Sequence, residues 1–529
     1  MAYRTTIHNL DDDSLLQIFR CYRLENEDNW NFRQTWRRLV HVCQRWRYLV
    51  YDLSTHLDMC LFLTNDSPSI DTLSHLPPLP LVIDYSNRTR TTAQKDEDNI
   101  HLGLQQHGRV RRVALQAPSS SLRMWLEPMN QLFPRLVDLR LLSTTIDEMN
   151  LKLPETLQAP DLRHLSLHGI GLPTGLPLLS SVNTLSTLSL THIGATCYFP
   201  PVHLVTRLRG LPHLEELSIG FVMPILLPSS EGEMLPTPIV PVTLPTLRRL
   251  TFRGEDIYLN DLVSRINTPL LERLSFTLIF DLAFTLVNLA EFIHRTEGFR
   301  CFSARIVFNQ DGASMNAGHY EQLAVEKLNL LVSCEPLDWQ IDSITQVCGA
   351  LGEFLSAVED LTLDLDVDGM PSDWENALDS MLWHELLLPF TGVKRLHIGS
   401  SLTRELSQAL KSVVMELLPD LQELEVQLEI DQAKDQFSLF LETRELVGRP
   451  VHLLAKPTPH AEPEVPRHEY AKVSPIPPAK LPFNPKAFLK YMNHVGRSYR
   501  YQATSLITIC QTFVQAQEQT FCSYVDLRR

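Results

Sequence analysis

A short frame, Pro-x-Leu-x-x-Leu-x followed by Leu, Ile, Phe or Val, returns along the middle of this chain and constrains its fold more than any other feature. Clear copies run from Pro134 to Leu141, Pro160 to Leu167, Pro212 to Ile219, Pro245 to Phe252, Pro269 to Phe276 and Pro419 to Val426. Weaker copies lie at Val110 to Leu115, Asn183 to Leu190, Glu359 to Leu365 and Val393 to Ile398. Strand side chains alternate, so Leu-x-Leu specifies a strand buried on one side only. The leading proline donates no backbone hydrogen bond and ends the segment before it.

The spacing of the copies sets how such strands are joined. Leu139 to Leu165 spans 26 residues, Leu188 to Leu217 spans 29, Leu217 to Leu250 spans 33 and Leu250 to Leu274 spans 24. A unit of this length cannot bury its apolar side alone and must stack on its neighbours, each unit being one strand plus a helix or loop of variable length. The expectation is an α/β fold, a leucine-rich-repeat-like solenoid with a curved parallel sheet over residues 109–448. The frame fades between Phe276 and Glu359, where Ser303 to Phe308 and Leu328 to Val332 are expected to supply two more strands.

Ahead of the repeats, two short amphipathic helices are predicted. Asn9 or Asp11 caps the first, and Leu15, Ile18, Phe19 and Tyr22 share one face of it, with Leu16 widening the stripe. After an acidic, Asn-rich loop, Trp36, Leu39, Val40, Cys43, Trp46 and Val50 recur at spacings of three and four. Two helices this short enclose no core alone, so part of their apolar surface is expected to meet another chain.

The runs Ile7-His-Asn-Leu10, Leu15-Leu-Gln-Ile-Phe19 and Trp36 to Leu49, which includes Val42-Cys43-Gln-Arg-Trp46, resemble the F-box. Together with Leu76 to Tyr85 and Arg109 to Leu115, they make the first 450 or so residues similar to the F-box proteins expanded in mushroom-forming fungi. Asp11 stands where the family pattern has proline, and the loop between the helices is longer than in most F-boxes. The resemblance implies that Leu10, Leu15, Leu16, Phe19, Leu39, Val42, Cys43 and Trp46 bury against a Skp-type adaptor. It also implies that a cullin scaffold is reached through that adaptor, and that a protein substrate is held elsewhere on the chain. The domain organisation expected is an F-box over 1–62, a connecting segment with one strand over 63–108, the solenoid over 109–448, a proline-rich linker over 449–482 and a tail, helical in part, over 483–529.

Composition narrows the remaining classes. Hydrophobic residues at 44% and charged residues at 21% of the 529 make a globular balance. The 47 basic and 62 acidic side chains leave a charge of -15, which argues against nucleic acid or anionic membrane as partner and for protein. The nine cysteines form no Cys-x-x-Cys pair, as expected of free thiols in the cytoplasm or nucleus. Met1 to Asp13 does not read as a signal peptide. His164 to Thr206 contains no Asp, Glu, Lys or Arg, but its prolines and glycines break any spanning helix.

Several constellations compete with an adaptor role. Asp364, Asp366, Asp368, Gly369 and Glu375 satisfy the spacing of an EF-hand loop, yet Leu361, Leu363 and Leu365 alternate as a strand where an entering helix is required. Gly169-Ile-Gly171 with Gly175 misses the dinucleotide fingerprint by one residue, and Pro173 spoils its helix. His164 and His168 lack a third ligand. No cofactor, metal or catalytic residue is expected, and the chain reads as a non-catalytic receptor. The competing reading is a stand-alone repeat scaffold, modulated by calcium, with a degenerate F-box.

Within each frame, the residues flanking the second leucine point away from the core. They are Asp138, Arg140, His164, Ser166, Thr187, Ser189, Glu216 and Ser218, then Arg249, Thr251, Arg253, Arg273 and Ser275, then Asp360, Asp364, Glu423 and Glu425. Arg249, Arg253 and Arg273 form the one basic group of this series and are the expected contacts for an acidic or phosphorylated peptide.

Overall fold

The computed structural model describes residues 10–24, 39–53, 60–63, 79–86, 94–145, 151–173, 176–222, 241–279, 284–296, 298–310, 312–318, 326–334, 337–366, 380–412 and 417–456. The chain divides into two compact units, and all the described residues belong to the first.

The frames become strands in one open, sixteen-stranded sheet. Its strands are β1 (Leu61–Leu63), β2 (Leu81–Ser86), β3 (Val110–Ala117), β4 (Asp138–Ser143), β5 (His164–His168), β6 (Thr187–Ile193), β7 (Glu216–Phe221), β9 (Arg249–Gly254), β11 (Arg273–Leu278), β12 (Ser303–Asn309), β13 (Gly312–Gly318), β14 (Glu326–Val332), β15 (Asp360–Leu365), β16 (Arg395–Ile398), β17 (Glu423–Val426) and β18 (His452–Ala455). Two further short strands, β8 (Val242–Thr243) and β10 (Ile266–Asn267), pair with each other. Spatial order follows chain order except at one place, where it reads β11, β14, β13, β12, β15.

Pairing is parallel throughout apart from β12 with β13 and β13 with β14. The second leucines of the frames align across the ladder: Leu139 with Leu165, Leu188, Leu217, Leu250 and Leu274, and later Leu361 with Leu396 and Leu424. Every one of them is essentially fully buried. A row of buried Leu141, Leu167, Leu190, Ile219, Phe252 and Phe276 runs beside it, as the two-residue strand period requires.

The recurring proline does more than end a segment. In each clear copy the amide of the frame's first leucine donates to the carbonyl of the residue before the proline: Leu136 to Phe133, Leu162 to Ala159, Leu214 to Leu211, Leu247 to Leu244, Leu271 to Thr268 and Leu421 to Leu418, at 3.1 to 3.4 Å. Proline thus occupies the second position of a β-turn, where its fixed φ is already suited. Two copies add a stitch between units, Thr184 Oγ1 donating to Leu162 O at 2.8 Å and Thr246 Oγ1 to Leu214 O at 2.9 Å.

Thirteen α-helices occur among the described residues. Two lie at the N-terminus, α1 (Asp12–Leu24) and α2 (Gln44–Asp52). The rest connect strands: α3 (Gln94–Gln105), α4 (Ser119–Leu126), α5 (Pro177–Ser181), α6 (Pro201–Leu208), α7 (Asp256–Ser264), α8 (Val287–Arg295), α9 (Leu337–Ala350), α10 (Gly352–Leu355), α11 (Ser380–Leu387), α12 (Thr403–Ser412) and α13 (Ile430–Leu446). Their buried faces join the inward strand residues in one hydrophobic cluster. Neighbouring helices also brace one another. Asn260 of α7, for example, offers Oδ1 to the amides of Asn288 and Leu289 at 2.8 and 3.2 Å, satisfying donors in the first turn of α8.

The stretch where the frame fades holds both expected strands, as β12 and β14, and between them the unexpected β13. The turn from β12 into β13 depends on Gly312, at φ +151°, where a Cβ would lie 2.0 Å from Val332 O. The sheet also extends past the expected limits. It begins at β1 and continues to β18 inside the expected linker, and the segment expected to hold one strand holds β2 and the helix α3.

Candidate partner-binding surfaces

At the N-terminus, each helix is fastened by the residue types that begin it. Asp11 Oδ1 accepts from the Ser14 amide at 2.7 Å, and these hydrogen bonds with Ser14 hold its carboxyl below the usual carboxylate range. Cys43 is the N-cap of α2, with Sγ accepting from the Trp46 amide at 3.5 Å. The Val-Cys-x-x-Trp run is therefore a capping unit as well as part of an apolar stripe. Arg45 crosses to α1, donating to Asp12 Oδ1 at 2.9 Å and to Leu10 O at 2.8 Å, and Phe19 meets Trp46 edge-on with ring centroids 4.7 Å apart.

This packing divides the eight residues expected at an adaptor. Leu15, Phe19 and Leu39 are buried in the chain's own core, Leu10, Leu16 and Trp46 are half-buried against it, and Cys43 is half-buried as the cap. Leu15, Phe19 and Leu39 have almost no surface to offer a partner, because they fill the chain's own core. Val42, by contrast, is 57% exposed. Ile18 at 43% and Tyr48 at 65%, neither among the eight, join it as exposed apolar or aromatic surface. Trp36 lies outside the described residues.

The second surface is the outward side of the sheet. Asp138 and Asp360, expected to be exposed, are in fact buried, because arginines close over them. Arg112 and Arg140 reach Asp138 at 3.3 and 2.9 Å, and Arg395 pairs with Asp360. Arg305 likewise holds Asp364 at 2.8 Å, and His397 lies 3.4 Å from Glu425. Of the three arginines singled out in the sequence, all exposed, Arg249 and Arg273 stand opposite each other on β9 and β11, and Arg253 lies four residues further along β9. Arg249 pairs with Glu216 on β7. No carboxylate is paired with Arg253 or Arg273 among the described residues.

The sheet also brings together two histidines that spacing alone did not connect. His168 Nδ1 lies 3.0 Å from Thr191 Oγ1, and its ring centroid is 3.9 Å from that of His192, which sits at φ 55° within an irregularity in the β6–β7 pairing. Burial and then the neighbouring His192 lower the His168 pKa; burial and then Arg253 lower that of His192. His164 stays apart, its Nδ1 3.2 Å from Thr187 Oγ1.

Among the described residues, no group of three or more His, Cys, Asp or Glu is placed to hold a metal ion. Asp364 is engaged by Arg305, and Asp368 and Glu375 lie outside the described residues. Burial pushes the Cys301 thiol up to about 12 and Cys334 to about 11, so both stay protonated and poorly nucleophilic at neutral pH. No described helix is long and apolar enough to cross a membrane. A scan against protein-family models finds no match, and a search of curated proteins finds none either.

Proposed function

We propose that this chain is the substrate-recognition subunit of a Skp–cullin–F-box ubiquitin ligase, its N-terminal helices docking on a Skp-type adaptor and its sheet belonging to a leucine-rich-repeat-like solenoid that holds a protein substrate. The observation that carries this reading is the pair of N-terminal helices, whose sequence resembles the F-box and which leaves Ile18, Val42 and Tyr48 exposed after the chain's own core is filled. Covering these side chains with a partner protein would be favourable, and their position on the F-box-like helices is what points to an adaptor. The one-sided parallel sheet supports the second half, since it spends one face on the core and frees the other for binding. The mechanism is proximity: ubiquitin is transferred by other subunits, and this chain raises the local concentration of substrate without bond chemistry of its own.

The test is co-purification of a Skp-type adaptor with the full chain and with the variant Ile18→Asp/Val42→Asp. Both side chains are exposed, so the variant should melt like the wild type. Placing charge in an interface core costs several kcal/mol and should abolish adaptor capture. Undiminished capture by this variant would refute the assignment.

A further inference from the structure

Most charges on the outward side of the sheet sit against an opposite charge. Arg112 and Arg140 share Asp138, Arg305 takes Asp364, Arg395 takes Asp360, and the half-buried His397 meets Glu425. Cross-strand pairs of opposite sign stabilise a sheet, whereas like charges directly opposite each other destabilise it. At β9 and β11 the rule breaks: Arg249 stands opposite Arg273, and neither Arg273 nor Arg253 is paired with a carboxylate among the described residues.

The surroundings of these arginines are built from small hydroxyl residues. Thr251 and Ser275 face each other in the row midway between Arg249 and Arg273 at one end and Arg253 at the other, and Ser218 continues that row onto β7. Strands lie about 4.8 Å apart and two residues advance about 6.6 Å, so a group above Thr251 and Ser275 is within reach of all three guanidinium side chains. On β7, Gly220 is the residue beside Arg253, and it places no side chain against the arginine. The floor is thus low and polar, with arginines on the same face at both ends.

We propose that this patch binds a phosphorylated serine or threonine in an extended peptide, with Arg273 and Arg253 gripping the phosphate over Thr251 and Ser275 and with Glu216 as an internal competitor for Arg249. This rests on the substrate-receptor reading for its biological setting, though not for its chemistry. A carboxylate has two oxygens and one charge, and Asp138 shows it serving two arginines, one on each oxygen. A phosphate monoester brings three terminal oxygens and close to two charges, a better match to three arginines. Glu216 raises the threshold further. In the free protein it already neutralises Arg249, so an incoming anion gains the third arginine only by displacing a carboxylate, which a dianion does better than another carboxylate.

The experiment uses the full chain and a fluorescent library of nine-residue peptides with central phosphoserine or phosphothreonine, against the same library unphosphorylated and with Glu at the centre. Fluorescence anisotropy should show capture of the phosphorylated library alone. Arg273→Glu and Arg253→Glu should each weaken it by about tenfold or more, and Arg135→Glu, an exposed reversal away from this face, should leave it unchanged. Glu216→Gln should tighten it by releasing Arg249, a gain that loss of folding cannot imitate. The proposal is overturned if the phosphorylated library binds no better than the Glu library, if either arginine reversal leaves binding intact in a variant that melts like the wild type, or if Glu216→Gln weakens it. Adaptor co-purification is run on the same variants. Peptide capture without adaptor would sink the ubiquitin-ligase reading and leave the phosphate site standing, and adaptor capture without peptide binding would do the reverse.

Discussion

Gly171 offers a sharp test of the packing. A Cβ at this position would lie 2.3 Å from Cys197 Sγ and 2.4 Å from Cys197 Cβ. Ordinary carbon contacts are about 3.5 Å, so Gly171→Ala falls short by more than 1 Å. Neither partner is free to retreat. Gly171 donates to Leu151 O at 2.8 Å and accepts from the Leu153 amide at 3.0 Å, and buried Cys197 closes a turn onto Gly194 O at 2.9 Å. Overpacking costs roughly 1–3 kcal/mol, and this constraint on both sides places Gly171→Ala near 3 kcal/mol. Removing the obstacle should remove the penalty: in a Cys197→Gly background the same substitution should cost less than about 1 kcal/mol, a coupling of about 2 kcal/mol. Urea unfolding at 25 °C of the four proteins of this cycle, followed by circular dichroism, measures it, with hydrogen exchange in β5 and β6 reporting whether the loss is local. If Gly171→Ala costs the same with and without Cys197, the close approach is not what selects glycine here. The Gly169-Ile-Gly171 run would then need another explanation than packing, the nucleotide-like one included.

Gly312→Ala should cost more than about 2 kcal/mol, because it combines a positive φ with a Cβ 2.0 Å from Val332 O; loss of exchange protection confined to β12, β13 and β14 is the expected signature. His168 and His192 have pKa values held below the ordinary 6.5 in the folded protein, so the unfolded chain takes up protons first as pH falls. Their contribution to stability is intact above about pH 6.5 and declines as pH drops toward the folded values, and His168→Gln/His192→Asn should flatten the urea midpoint between pH 7.5 and 5 relative to wild type. Asparagine is chosen for position 192 because it tolerates the left-handed φ of 55°.

What the sequence made legible follows from which side of the sheet a residue serves. Inward positions obey a two-residue period, and for that reason the leucines of the frames marked the strands, which the structure then sets in register with Leu217 opposite Leu250 and Leu250 opposite Leu274. Strand β13 escaped because Gly-Ala-Ser-Met-Asn-Ala-Gly alternates with side chains too small to register as apolar, though Ala313, Met315 and Ala317 are all buried. Helix α3 escaped for the opposite reason, a sequence so polar that Ile100 and Leu104 make no stripe.

The candidate sites were harder to read because a stripe records that a side chain is covered, not by what. Leu15 and Phe19 share a face of α1 and face the chain's own core, and Ile18, on the same helix, is left outside it. On the outward side of the sheet alternation says only that a residue faces away from the core, not what its neighbours are. It suggested exposed aspartates at 138 and 360, which arginines from the same or a neighbouring strand in fact cover. It took the register to show that Arg273 faces Arg249 rather than a carboxylate. Each buried acid here has its cation one strand away or nearer, whereas Arg253 and Arg273 are left with charge to spare. A sheet that neutralises its outward charges locally nearly everywhere, and fails to do so over Thr251 and Ser275, has the strongest electrostatic reason to bind an anion at that place.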